Sequence, residues 1–82
     1  MNRTEIYEKV CDVLVQDFEI ERDKLTYEVN LFEDLDLDSI DAVDLIVRLQ
    51  KIIQKKVVPE DFHQIRTMND LLDVLEKIVN NP

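Results

Sequence analysis

Three stretches of the chain repeat their apolar residues at helical spacing. At 100° per residue, Ile6, Tyr7, Val10, Val13, Leu14 and Phe18 fall on one arc, with Glu5, Glu8, Lys9, Asp12, Gln16 and Glu19 opposite. Asn2 or Thr4 is placed to cap this first helix, since a short polar side chain can accept from the unpaired N–H groups of the first turn. Towards the other end, Met68, Leu71, Leu72, Val74, Leu75, Ile78 and Val79 share a face, and Asn69, Asp70, Asp73, Glu76 and Lys77 lie on the other. Thr67 with Asp70 reads as a reciprocal N-cap pair, and Asn80 as a stop. A third pattern predicts a helix from about Ser39 to about Gln54, with Asp38 as its cap and Asp41 three residues on.

Residues 20–38 must connect the first two helices. A connection that long is usually functional or packed, and Val29, Leu31, Phe32, Leu35 and Leu37 predict packing. Pro59 suits the first turn of a short further helix. Val57-Val58 is too short for a strand, and no repeat is present. The expected fold is all-α: a small four-helix bundle of three longer helices and one short one, with a long first loop, in a single domain over residues 1–82. Tyr7, Tyr27, Phe18 and Phe32 read as packing residues, and Cys11 as a small core residue with no His or basic neighbour to activate it.

The middle helix departs from ordinary amphipathicity. Ala42, Leu45, Ile46, Leu49, Ile52 and Ile53 cluster within about 60° of one line, a normal core face. The opposite face holds Asp44, Arg48 and Lys51, but also Ile40, Val43 and Val47. Burying the helix all round would force its charged side chains to find buried partners, which is costly. An exposed apolar stripe with acidic flanks is the better reading: a docking surface formed by Ile40, Val43 and Val47 with Asp38, Asp41 and Asp44.

Charge sharpens this picture. The 82 residues carry a net charge of −9, and seven acidic but no basic side chains lie within residues 28–44. Such a balance disfavours nucleic acid and anionic membrane surfaces, and favours a basic protein partner or a cation. The single Cys excludes an internal disulfide and a zinc cluster. With no Gly, every glycine-rich phosphate loop is excluded. Apolar runs are far too short to span a membrane and no leader is visible at Met1, so a cytoplasmic monomer is expected.

One Ser heads the middle helix. Ser39 cannot be read as a catalytic nucleophile, because the single His, His63, stands in a polar segment and reads as a surface residue. A helix N-terminus does suit a phosphate ester, through its unpaired N–H groups and dipole. Ser39 also suits a plain capping role, the commoner use of Ser at a helix start. Asp34, Asp36 and Asp38 match three positions of an EF-hand loop, but Ser39 stands where Gly is needed and Leu45 where Glu is needed, so no metal site is assigned.

The run from Leu31 to Leu45, with Phe32-Glu33-Asp34-Leu35 ahead of Asp38-Ser39-Ile40, resembles the core of a discrete (type II) acyl carrier protein. The likeness spans nearly the whole chain, from the first helix through the Pro59-Glu60-Asp61 turn to the Thr67-headed last helix. It implies a carrier and not an enzyme. Ser39 would hold 4′-phosphopantetheine, placed there from coenzyme A by a phosphopantetheinyl transferase that supplies the base and Mg²⁺. The arm's thiol would hold acyl groups as thioesters for acyl-transferring, condensing or modifying enzymes of fatty-acid, polyketide or related specialised lipid biosynthesis. It also implies a cavity for the acyl chain, with Leu45, Ile46, Leu49, Phe62, Leu71 and Leu75 as candidate lining.

Two features depart from the family pattern. The family usually has Gly just before the Asp-Ser pair, where Asp36 or Leu37 stands here. Asp36 is then the residue expected to make the turn in a left-handed conformation. The second half of the middle helix, commonly acidic in fatty-acid carriers, reads Gln50-Lys51 and is followed by Lys55-Lys56. That implies a pathway-specific carrier rather than the general one. The alternatives are a peptidyl or aryl carrier of a peptide-synthetase system, and an acidic interaction domain that is never modified.

Overall fold

The first helix, α1, spans Arg3–Asp17. Asn2 caps it: its side chain accepts from Glu5 N at 2.9 Å, while the Glu5 carboxylate accepts from Asn2 N at 3.3 Å. Ile6, Val10, Cys11, Val13 and Leu14 are buried along it. The helix ends without glycine. Glu19 adopts φ 57°, and Ile20 N donates back to Leu14 O at 3.1 Å, closing the turn through a left-handed residue. The computed structural model describes residues 1–57, 62 and 64–80.

The first loop is packed, as the positions of its apolar residues require. Leu25, Val29, Leu31, Leu35 and Leu37 are all buried. Tyr7 reaches from α1 to hold its start, donating to Leu25 O at 3.1 Å and stacking on Tyr27 with ring centroids 4.2 Å apart. Burial, with Cys11 alongside, pushes the Tyr7 hydroxyl up to about 12. Burial likewise raises the Cys11 thiol, so it stays protonated and inert in the core. A 3₁₀ turn, Arg22–Lys24, lies in this loop and was not expected from the apolar pattern. Arg22 is tied there to Asp12 of α1 at 2.6 Å.

The second helix, α2, spans Ser39–Ile53, and the third, α3, Met68–Asn80. Leu45, Ile46, Leu49 and Ile53 of α2 and Met68, Leu71, Leu72 and Leu75 of α3 close the core against α1. Gln54 ends α2 at φ 56°, again a left-handed residue that is not Gly. The Gln50 side chain then accepts from Val57 N at 2.8 Å and turns the chain back. Arg3 ties the start of α1 to α3 through Asp73 at 2.9 Å and Glu76 at 2.7 Å.

An antiparallel bridge between Asn30 and Thr67 joins the loop to the head of α3. The described residues therefore form three α-helices, one 3₁₀ turn and this bridge, with no named strand. The fourth helix of the expected bundle is not among them: residues 58–61, where it was expected to begin, and His63 lie outside the described residues. No described helix is long and apolar enough to cross a membrane.

Candidate functional site

The site is built where the packed loop delivers the chain to α2. Asn30 organises the turn before it. Its side chain accepts from Phe32 N at 2.9 Å and Glu33 N at 2.8 Å, and Asp34 accepts from Asn30 N at 2.8 Å. Asp36 then adopts φ 57°, and Leu37 N donates to Leu31 O at 3.3 Å. This is the same closure that Glu19 makes after α1. Asp tolerates the left-handed region better than most residues, because its short side chain can bond locally. Asp36 is thus the left-handed residue of this turn, as expected.

Burying Leu35 and Leu37 turns Asp36 and Asp38 out to solvent. Asp38 caps α2: its side chain accepts from Asp41 N at 2.8 Å, and Asp41 accepts from Asp38 N at 3.3 Å. The first intrahelical bond is Ala42 N to Asp38 O at 2.9 Å. Ser39 is therefore not the cap. It is exposed in the first turn, and its hydroxyl makes no hydrogen bond with any described residue. The N–H groups of Ser39 and Ile40 are likewise unpaired among the described residues. A phosphate ester on Ser39 fits this arrangement: the hydroxyl is accessible and two amide donors stand beside it. The carboxylates of Asp36, Asp38 and Asp41 oppose the added charge.

Ile40, Val43 and Val47 are 78%, 57% and 42% exposed. Together with Ser39 and Asp44 they line one shallow groove on the outer face of α2. Asp44 is not isolated. Arg48 donates to it at 3.2 Å, pairs with Asp17 at the end of α1 at 3.2 Å, and lies 5.9 Å above the Phe18 ring. Sequence periodicity placed Arg48 on this face but offered no sign of the bridge to α1, because Asp17 and Phe18 meet it only through the packing of the two helices. A second, acid-lined cleft between α1 and α2 brings Asp17, Glu19, Asp36, Asp41 and Asp44 together. Among the described residues, no group of three or more His, Cys, Asp and Glu is arranged to hold a metal ion.

Behind α2 lies a small apolar cleft of about 30 Å³. Of the six residues expected to line a cavity, Leu45, Phe62 and Leu71 do so. Ile46, Leu49 and Leu75 are buried in the same core but are not among the residues that line this cleft. The remaining lining comes from Leu31, Phe32, Leu37, Ala42 and Ile65, which the helix pattern could not single out because most of them belong to loops.

Residues 8–75 match the family described as the phosphopantetheine attachment site. The chain is 39% identical over 79 residues to acyl carrier protein 2 of Ralstonia nicotianae, covering 96% of this chain and 98% of that one. It is 31% identical over 80 residues to an acyl carrier protein of Lactobacillus johnsonii, covering 98% and 100%. Its fold matches the solved acyl carrier protein of Enterococcus faecalis with a TM-score of 0.73 at 30% identity, each chain covered in full.

Proposed function

The chain belongs to the acyl carrier protein family, and from that premise we propose that Ser39 is the residue on which it carries 4′-phosphopantetheine. As a member it is a carrier and not an enzyme. Its partners are a phosphopantetheinyl transferase and enzymes that handle acyl groups. When bound, the arm supplies a terminal thiol that holds those groups as thioesters.

The observation that carries the assignment to Ser39 is the division of labour at the head of α2. Asp38 takes the cap, so Ser39 keeps an exposed hydroxyl with no internal partner. Ser39 Oγ can then attack the pantetheine-side phosphorus of coenzyme A, giving up its proton to a base that the transferase provides, while the pyrophosphate P–O bond breaks and 3′,5′-ADP leaves. The amides of Ser39 and Ile40 orient the ester, and the capping box holds both in place. The chain's contribution afterwards is tethering, which raises the effective concentration of the cargo at a docked enzyme.

Ile40, Val43 and Val47 are the apolar contact area for those enzymes, and Asp38, Asp41 and Asp44 steer them. Leu45, Phe62 and Leu71, with Leu31, Phe32, Leu37, Ala42 and Ile65, are the wall along which an acyl chain enters. At about 30 Å³ the cleft has room for about one water, so entry requires the loop and helices to part. Fatty-acid, polyketide or a related specialised lipid pathway is the setting, and Lys51 and Lys56 favour a dedicated partner set over the general one. We read residues 1–82 as one carrier domain, a cytoplasmic monomer. The acyl carrier names of its relatives favour this reading over a peptidyl carrier.

Incubated with coenzyme A, Mg²⁺ and a phosphopantetheinyl transferase, the protein should gain the mass of one phosphopantetheinyl group. Ser39→Ala should gain none while keeping the same helical circular dichroism. A gain in Ser39→Ala moves the attachment to another residue. No gain in the wild type leaves an unmodified interaction domain.

A further inference from the structure

The outer face of α2 is two-signed along its length. Residues 28–44 hold seven acidic and no basic side chains, while residues 45–56 hold four basic and no acidic ones. The change of sign falls inside one rigid helix, between Asp44 and Arg48. Of the basic set, Arg48 is already engaged by Asp44 and Asp17. Lys51 is exposed, has no ion pair with a described residue, and lies one turn beyond Val47 on nearly the bearing of Ile40. Lys56 is exposed just past the Gln54 cap and equally unpaired. The apolar groove of Ile40, Val43 and Val47 therefore has carboxylates at the Ser39 end and, at the far end, an ammonium with no ion pair among the described residues.

We propose that this face docks acyl-handling enzymes of complementary bipolar charge. The partner places cationic side chains beside Asp41 and Asp44, apolar ones in the groove, and carboxylates beside Lys51 and Lys56. At 1.5 Å per residue, its two charged clusters stand about 15 Å apart, the distance from Asp41 to Lys51. A partner with basic residues along its whole docking strip meets Lys51 with like charge and is rejected, so the lysines act on specificity as much as on affinity. The proposal rests on the carrier reading but not on which residue bears the arm. A purely structural role is the competing use of these charges, since acids at the start and bases at the end of a helix also complement its dipole.

Two synthetic helical peptides with the same Leu/Val stripe serve as probes. One has Lys at one end and Glu at the other, about 15 Å apart; the second has Lys at both ends. Fluorescence anisotropy with the holo protein should show the bipolar peptide binding about tenfold more tightly, an effect of two favourable pairs against two repulsive ones. K51E/K56E should reverse the order while keeping the helical circular dichroism of the wild type. Equal binding of the two peptides, no binding of either at millimolar concentration, or an order unchanged in K51E/K56E overturns the proposal. A lowered melting temperature with an unchanged order assigns the lysines to the dipole alone. Failure of loading in the wild type, by contrast, strikes the carrier reading and not the bipolar face.

Discussion

The heads of α2 and α3 use one local device to opposite ends. Each begins with an acid three residues after its cap: Asp38 with Asp41, and Thr67 with Asp70. In α3 the next two amides are consumed. Met68 N donates to Val29 O and Asn69 N to Tyr27 O, both at 2.9 Å, and Leu31 N donates to Arg66 O at 2.8 Å. The residue after the cap, Met68, is fully buried. In α2 the corresponding amides of Ser39 and Ile40 have no partner among the described residues, and Ser39 and Ile40 face solvent. A capping box starts a helix. What lies against that start decides whether it is a structural joint or a chemical site.

The contrast can be broken most strongly in the core. Leu72→Ala in α3 should cost about 2–5 kcal/mol, a large part of a stability of roughly 5–15 kcal/mol, because a fully buried side chain leaves a cavity. Val43→Ala in the exposed stripe of α2 should cost under about 0.5 kcal/mol in the same urea titration. Comparable losses would mean that the stripe is part of the core.

The two caps come next. Thr67→Ala and Asp38→Ala should each lose about 1 kcal/mol. The α3 cap has an added acid dependence. Backbone N–H groups of Thr67 and Arg66 hold the Asp70 carboxyl below its ordinary value. Its stabilisation is therefore complete above the unfolded value of about 4 and disappears as pH falls through the lower folded one. Asp70→Asn should flatten that part of the acid limb in a pH series of melting temperatures. An acid limb identical to wild type would remove Asp70 from the account.

A small effect of opposite sign should come from the left-handed turn ahead of Ser39. Asp36→Gly relieves the cost of φ 57° but enlarges the freedom of the unfolded chain, so a net gain of about 0.5 kcal/mol is expected. A loss would show that the Asp36 side chain supports the turn by more than tolerating its conformation.

Much of this was readable along the chain. All three long helices, the caps at Asp38 and Thr67, a first cap at Asn2 or Thr4, and the apolar stripe of α2 follow from local rules of periodicity and capping, whereas the left-handed role of Asp36 was implied by the family resemblance. The 3₁₀ turn Arg22–Lys24 carries no apolar periodicity and was not foreseen. The cleft was half foreseen. Leu45 and Leu71 lie on helix faces, but Leu31, Leu37 and Ile65 reach it only because the loop folds over α2.

The chain's sequence by itself therefore determined where helices begin, which faces are apolar, and that seven carboxylates surround one Ser. Those features depend on neighbours within a few residues. Only the tertiary structure decided that Ile46, Leu49 and Leu75 fill the core rather than line the cleft, that Arg48 is held by Asp17, and that the head of α3 is stitched to the loop while the head of α2 is left open. Each of these depends on contacts between residues distant along the chain, and those contacts arise from packing that no local period encodes.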